Sequence, residues 1–254
     1  MFYSACLNAL FGNLSPAEAM AQAKLAGLNA FEIWGWWDVD LCALLRAKEQ
    51  HHLHMTAMCT RMVPLNDPSR RKEYLSGLKE SLEQAKALGC KILISQIGNT
   101  LPDLSYEEQH CSVVDGLKAC VPLLEQSGVM LVIEPLNTLF DHPGYFLTSS
   151  EEAFGIVREV DSPHVKVLYD VYHQQISEGN LIPTIRKNIE WIGHIHIAGH
   201  PGRHEVLGEQ EIHYPAVLSA LKKAGYTGAV GLEYFPLEDA VEGLRTLLKK
   251  IPLT

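Results

Sequence analysis

The sequence predicts an α/β protein of the (β/α)8 barrel class, folded as a single domain. Three observations point there. Eight short β-rich runs recur along the chain, each followed by a stretch with helical character. The length, 254 residues, is about what such a barrel occupies. Side chains of ligand type stand at or near the C-terminal ends of the last four runs, the end where barrels build their sites. A doubly wound sheet is the alternative. It normally has fewer strands and a glycine-rich first turn, which "NALFGN" does not supply.

The elements follow in order. "FYSACLNA" (2–9) reads as a first strand rather than a signal peptide, because neither a basic leader nor a small-residue cleavage pattern accompanies it. "SPAEAMAQAKLAG" puts Ser15 at an N-cap, Pro16 at the first helical position and Glu18 at the third, and closes on Gly27. "AFEIW" (30–34) and "LHMTAMC" (53–59) are the second and third strands. "DPSRRKEYLSGLKESLEQAKALG" spaces Tyr74, Leu75, Leu78, Leu82 and Leu88 at helical intervals and again ends in Gly. "KILISQI" (91–97) precedes the helical "SYEEQHCSVVDGLKACVPLLEQSG", and "VMLVIEP" (129–135), "VKVLYD" (165–170) and "WIGHIHIA" (191–198) are strands five to seven. The helical "YPAVLSALKKAG", the strand "AVGLEYF" (229–235) and the helix "LEDAVEGLRTLLKKI" complete the chain. With no linker or low-complexity segment, residues 1–254 read as one TIM barrel domain.

Composition narrows the function classes. Hydrophobic residues make up 47%, enough for a sizeable core. The formal net charge of −9, with no run rich in Lys or Arg, repels phosphate backbones and argues against nucleic acid as a partner. No apolar run is long enough to span a bilayer, so no membrane partner is expected. The six cysteines are scattered without a CxxC pair, as expected of reduced thiols in a cytoplasmic protein, and this weakens a closed zinc site.

"LVIEP" ends in Glu134, "VLYD" in Asp170, "GHIHIA" carries His196 and "GLEYF" carries Glu233. They are separated by 36, 26 and 37 residues, roughly one β/α unit each. In a barrel, the ends of strands five to eight converge on one face. Three carboxylates and an imidazole brought together there repel one another and are costly to desolvate. A divalent cation removes that difficulty. A donor set of oxygens with one nitrogen suits Mn²⁺ or Mg²⁺, and Co²⁺ or Zn²⁺ is also allowed. His194 shares a strand face with His196, one layer deeper, and reads as a satisfied inner residue.

"VIEPLN", "LYDVYHQQISEGNLIPTI", "GHIHIAGHPGRHE", "EIHYP" and "GLEYFP" together resemble the hydroxypyruvate isomerase branch of the xylose isomerase-like sugar isomerase/epimerase superfamily. The resemblance runs through most of the chain and is strongest from about residue 129 to 236. It implies a (β/α)8 barrel and one divalent metal held by Glu134, Asp170, His196 and Glu233, with the two glutamates also moving protons. It implies that His173 and Arg203 contact the substrate. The activity implied is isomerisation of a small hydroxycarbonyl compound, hydroxypyruvate to tartronate semialdehyde, by proton transfer through an enediolate. His196 stands where bacterial hydroxypyruvate isomerases often have Gln and is closer to the ketose 3-epimerases. A ketose 3-epimerase with the same metal site is therefore the alternative.

Other residues have plainer readings. His173 is placed in the loop after strand six, and Arg203 offers a planar fork for a carboxylate or paired oxygens. His200 and His204 are read as loop or supporting hydrogen-bond residues, and Glu32 as an acceptor behind the ligands. The aromatics of Trp34–Trp37 and Phe140–Phe146 either wall the pocket or cover a subunit interface, which leaves room for a homo-oligomer. "SRR" (69–71) is read as a solvated helix start rather than a phosphate site. An AP-endonuclease-like enzyme would need further ligands and a basic face. A non-catalytic sugar-binding protein would have no use for both glutamates.

Overall fold

The computed structural model describes residues 1–253. Eight strands, β1 (Phe2–Cys6), β2 (Ala30–Ile33), β3 (His54–Cys59), β4 (Ile92–Ser95), β5 (Met130–Ile133), β6 (Val165–Asp170), β7 (Ile192–Ile197) and β8 (Ala229–Leu232), close into a barrel in chain order. Every neighbouring pair is parallel, and β8 closes on β1 with Tyr3 opposite Val230. The helices are α1 (Leu7–Phe11), α2 (Pro16–Leu25), α3 (Leu41–His51), α4 (Arg71–Leu88), α5 (Tyr106–Ser127), α6 (Ser150–Val160), α7 (Val171–Ser177), α8 (Leu181–Asn188), α9 (Tyr214–Lys223) and α10 (Ala240–Lys250). The expected single-domain (β/α)8 barrel is what the chain forms.

Local signals set several boundaries. Ser15 and Glu18 form a reciprocal capping box at the start of α2, and Ser105 and Glu108 do the same for α5, each satisfying donors that the helix leaves open. Gly89 and Gly128 close α4 and α5 in the left-handed conformation. Six of the eight strand runs stop short of their expected C-terminal ends; the third and sixth end at Cys59 and Asp170 as expected. The first turns helical at Leu7, whose neighbours Ala9, Leu10 and Phe11 are buried; a short apolar run alone does not separate strand from buried helix. The fifth and eighth stop at Ile133 and Leu232, so Glu134 and Glu233 stand one residue beyond their strands. Arg70 pairs with Glu73 on the surface, but Arg71, expected on the solvated face, turns inward to donate to the carbonyl of Ser112.

Strand alternation sorts the core into two layers. Leu93, Leu131, Ile133, Val167, Tyr169, Ile195 and Ile197 join the large cluster shared with the helices. The intervening Ile94, Val132 and Leu168 pack with Ala57 and Cys59 in a small cluster from the strands alone, the apolar side of the barrel interior. The other side of the interior is polar: the Ser4 and Thr56 hydroxyls lie 2.7 Å apart, and Glu32 and His194 are buried beside them. Cys6, Cys59, Cys90 and Cys120 are buried and unpaired, whereas Cys42 and Cys111 are exposed and unpaired. Among the described residues, no helix is long and apolar enough to cross a membrane.

Candidate active site

β6 delivers Asp170 at its last position, and the same carboxylate starts α7: Oδ1 accepts from the backbone N–H of Tyr172 (2.7 Å) and His173 (3.3 Å). That bond fixes the rotamer and leaves Oδ2 buried without a hydrogen-bond partner. β7 brings His196 opposite Asp170 on one side and Gly231 of β8 on the other. Glu134 and Glu233 enter from the first positions past β5 and β8. All four side chains are buried, and one ligand atom from each lies within 4.8 Å of the others. The four residues that the strand-end pattern singled out are thus brought together at the C-terminal mouth.

The cluster is held from outside by residues of other loops. Glu233 accepts from Nε1 of Trp34 at 2.6 Å and from Nη2 of Arg203 at 2.6 Å, and its Oε2 lies 3.2 Å from Nδ1 of His196. Arg203 also faces Asp141 (3.6 Å) and Asp170 (4.0 Å), so its fork serves the protein's own carboxylates. Arg203 has a φ of 59°, the left-handed region that a bulky residue rarely adopts. Two backbone bonds hold the loop there: Gly199 N–H to the His204 carbonyl, and Phe235 N–H to the Arg203 carbonyl. Beneath the cluster, Glu32 accepts from Nε2 of His194 at 2.8 Å and lies 3.5 Å from Nε2 of His196.

Electrostatics follow from this arrangement. Burial pushes the Glu134 carboxyl well above the usual carboxylate range, and the charges of Glu233 and Asp170 add to it. Asp170 is pushed up to about 6, chiefly by burial, against the pull of Arg203 and His196. Burial also acts to raise Glu233, but His196, Arg203 and the Trp34 bond outweigh it and hold it far below the ordinary value. Burial drives His173 well below the ordinary imidazole value, with Arg203 assisting.

The residues present fit a divalent cation. Glu134 Oε1, Asp170 Oδ2 and both ring nitrogens of His196 are buried with no hydrogen-bond partner, a state that is costly unless something else satisfies them. Three carboxylates and one imidazole are an oxygen-rich donor set suited to such an ion. Glu32, His194 and His196 also lie close enough to hold a metal, but the 2.8 Å contact there is a hydrogen bond, and the backbone of Gly231 packs against it.

His173 is not in a loop as expected but in α7, fully buried, with Nε2 3.8 Å from Asp170 Oδ2. Arg203 reaches the cluster from the loop after β7. Trp34 touches the site through Glu233, Trp36 is buried against Trp37 with Arg61 over its ring, and Phe140 is exposed beside His200. His200 packs tilted against Phe140 and edge-on against Tyr172, and His204 bonds the carbonyl of Phe235, both loop roles. Two participants escaped the sequence reading. Asn137 is buried against His173, and Asp141 meets Tyr172, Asn137 and Arg203. Nothing in "NTLFDHPGYF" signals these contacts, which depend on a loop folding back over α7.

Similar proteins share this frame. The family model described as xylose isomerase-like TIM barrel matches residues 20–251. Hydroxypyruvate isomerase of Escherichia coli (strain K12) is 31% identical over 258 residues, covering 96% of each chain. The 2-oxo-tetronate isomerase of Cupriavidus necator is 33% identical over 177 residues, covering 70% of this chain and 67% of its own. A solved structure described as AP endonuclease, family 2, from Brucella melitensis superposes with a TM-score of 0.93 at 30% identity, covering 99% of this chain and all (100%) of the other. The barrel, the site at its mouth and the match along almost its whole length show that the chain belongs to the xylose isomerase-like TIM barrel family.

Proposed function

We propose that this isomerase interconverts hydroxypyruvate and tartronate semialdehyde with the help of one divalent cation. The observation that carries the reading is the meeting of Glu134, Asp170, His196 and Glu233 within 4.8 Å, in a chain similar over its length to hydroxypyruvate isomerases. These four residues would hold the ion, Mn²⁺ or Mg²⁺ by donor type, and it supplies positive charge that polarises a carbonyl and stabilises an enediolate.

The protein's own groups do the rest. Glu134 and Glu233 act as an acid/base pair on either side of the substrate: one removes the proton from the hydroxyl-bearing carbon beside the carbonyl, the other returns a proton to the former carbonyl carbon, and the hydroxyl proton passes to the former carbonyl oxygen. Oε1 of Glu134 is buried and without a hydrogen-bond partner, so the carboxylate is free to hold the cation through one oxygen and exchange a proton through the other. Glu233 is held in one pose by Trp34 and Arg203, which orients it at no cost during reaction. Asp170 and His196 are plain ligands. Nε2 of His173 and the guanidinium of Arg203 contact substrate oxygens.

The ketose 3-epimerase reading uses the same site. One observation favours it: the Arg203 fork already faces Glu233 and Asp141, which leaves less of it for a substrate carboxylate. The net charge of −9 opposes a nucleic-acid substrate. The test is to incubate metal-loaded protein with hydroxypyruvate and a panel of ketoses in D₂O and locate the deuterium by NMR. Conversion of hydroxypyruvate with label on the carbon next to the carbonyl is expected. In the same assay kcat/KM should fall in the order Arg203, Arg203→Lys, Arg203→Ala. Exchange at carbon 3 of a ketose, with hydroxypyruvate untouched, would reject the isomerase outcome in favour of the epimerase.

A further inference from the structure

His173 has two ring nitrogens in different surroundings, and one of them settles what the other can do. Nδ1 lies 3.3 Å from the backbone nitrogen of Asn137 and 2.6 Å from its side-chain Nδ2. A backbone N–H only donates, so Nδ1 is an acceptor. The Asn137 amide is oriented by separate contacts. Its Oδ1 accepts from the N–H groups of Phe140 (3.0 Å) and Asp141 (3.3 Å), and its Nδ2 donates to Asp141 Oδ2 (2.7 Å). Turning the amide over would set its NH₂ against two N–H donors and its oxygen against a carboxylate. One amide hydrogen therefore goes to Asp141 and the other to His173. With donors on both contacts to Nδ1, the proton of the neutral ring sits on Nε2.

We propose that Asn137 is a positioning residue that locks His173 in the Nε2–H tautomer, making it a hydrogen-bond donor to a substrate oxygen and barring it from the cation. Nε2 is buried, has no partner, and lies 3.8 Å from Asp170 Oδ2, at the edge of the candidate ligand cluster. A bare nitrogen there would compete for the ion, whereas an N–H cannot coordinate one. Asp141 extends the device. The carboxylate that orients Asn137 also accepts from the hydroxyl of Tyr172 (3.0 Å) and faces Arg203 (3.6 Å). The positions of His173 and Arg203 are thereby tied to one another through the loop after β5. The donor role toward substrate rests on the hydroxycarbonyl reading of the site; the tautomer does not.

The test uses full-length protein with ¹⁵N-labelled histidine. Long-range ¹H–¹⁵N spectra show which nitrogen carries the proton, and the His173→Gln variant assigns the signal. The wild type should show a proton on Nε2 and a bare Nδ1, with and without Mg²⁺. Asn137→Asp puts a carboxylate acceptor at the short 2.6 Å contact, and because that contact outweighs the remaining backbone N–H at 3.3 Å, a proton should appear on Nδ1. Its kcat/KM for hydroxypyruvate should fall at least about 10-fold, the scale of one lost hydrogen bond. In a His173→Gln background the same change should cost under about 2-fold, because the coupling is already gone. A wild-type proton on Nδ1, an unchanged tautomer in Asn137→Asp, or equal losses in both backgrounds would overturn the proposal. If Asn137→Asp does not fold, the wild-type spectrum alone decides. A shifted tautomer without turnover of any hydroxycarbonyl would uphold the role of Asn137 in fixing the ring and reject the functional reading instead.

Discussion

Glu134 and Glu233 occupy equivalent places, one residue past a strand, yet their surroundings drive them apart. Burial pushes Glu134 up, and it has no cation in hydrogen-bond contact; Glu233 is buried too, but the neighbouring His196 and Arg203 hold it ionised. Paired carboxyls pushed in opposite directions are what an acid/base couple needs. Glu134→Gln and Glu233→Gln preserve shape and remove basicity. In metal-saturated protein, each should lower kcat by at least about 10²-fold, the usual scale for positioned proton transfer. Calorimetric titration should also show weaker cation binding, because each amide removes a negative charge. Near-normal turnover in either variant would show that it does not transfer the proton. The strand-end position and chemical type of both residues were legible in the sequence. The asymmetry was not, because it comes from the contact of Glu233 with His196, Arg203 and Trp34, the last two on other loops.

At the scale of the element, the side chains of Glu32 and His196 lie directly over Gly231 of β8 and leave no room for a side chain there. Gly231 pairs with His196, and a methyl group there would stand 2.1 Å from Glu32 Oε1 and 2.6 Å from His196 Cδ2. Gly231→Ala should therefore lower stability by about 1–3 kcal/mol, the cost of overpacking a tight core. It should also displace His196 and weaken cation binding. Thermal denaturation and a metal titration check the two effects; a variant with unchanged Tm and affinity would show that the barrel relaxes there freely. "GLEYF" presents this glycine as an ordinary strand residue. Only the register with β7, and the Glu32 side chain crossing from β2, make the missing Cβ necessary. The capping boxes at Ser15 and Ser105 are the opposite case. Their partners are three residues away, so the sequence alone specifies them.

The whole barrel gathers four strand ends from the second half of the chain into one buried site of mostly negative groups. If the site holds a cation as proposed, that metal should stabilise the fold as well as enable turnover. Exhaustive chelation is expected to abolish isomerisation, and added Mn²⁺ or Mg²⁺ to restore it. The Tm should rise with ion concentration, with about 2.7 kcal/mol of stabilisation at 100 times Kd. Full activity after chelation, with a Tm indifferent to the ion, would remove the metal from the mechanism.

The sequence determined the barrel and the identity of its four mouth residues. Eight β/α units and period-two alternation are local patterns, and barrel closure carries the strand ends to one place whatever the loops do. It also specified the helix starts, where donor and acceptor lie within one turn. What the tertiary structure decided was how those four residues are held. Arg203 meets Glu233, Trp34 meets Glu233, Glu32 of β2 meets His194 of β7, and Asn137 and Asp141 meet His173 and Tyr172 of α7, all between segments distant in sequence. These contacts depend on side-chain direction and loop path, which hydrophobic periodicity does not encode. They are visible only once the closed barrel has brought its loops together over one mouth.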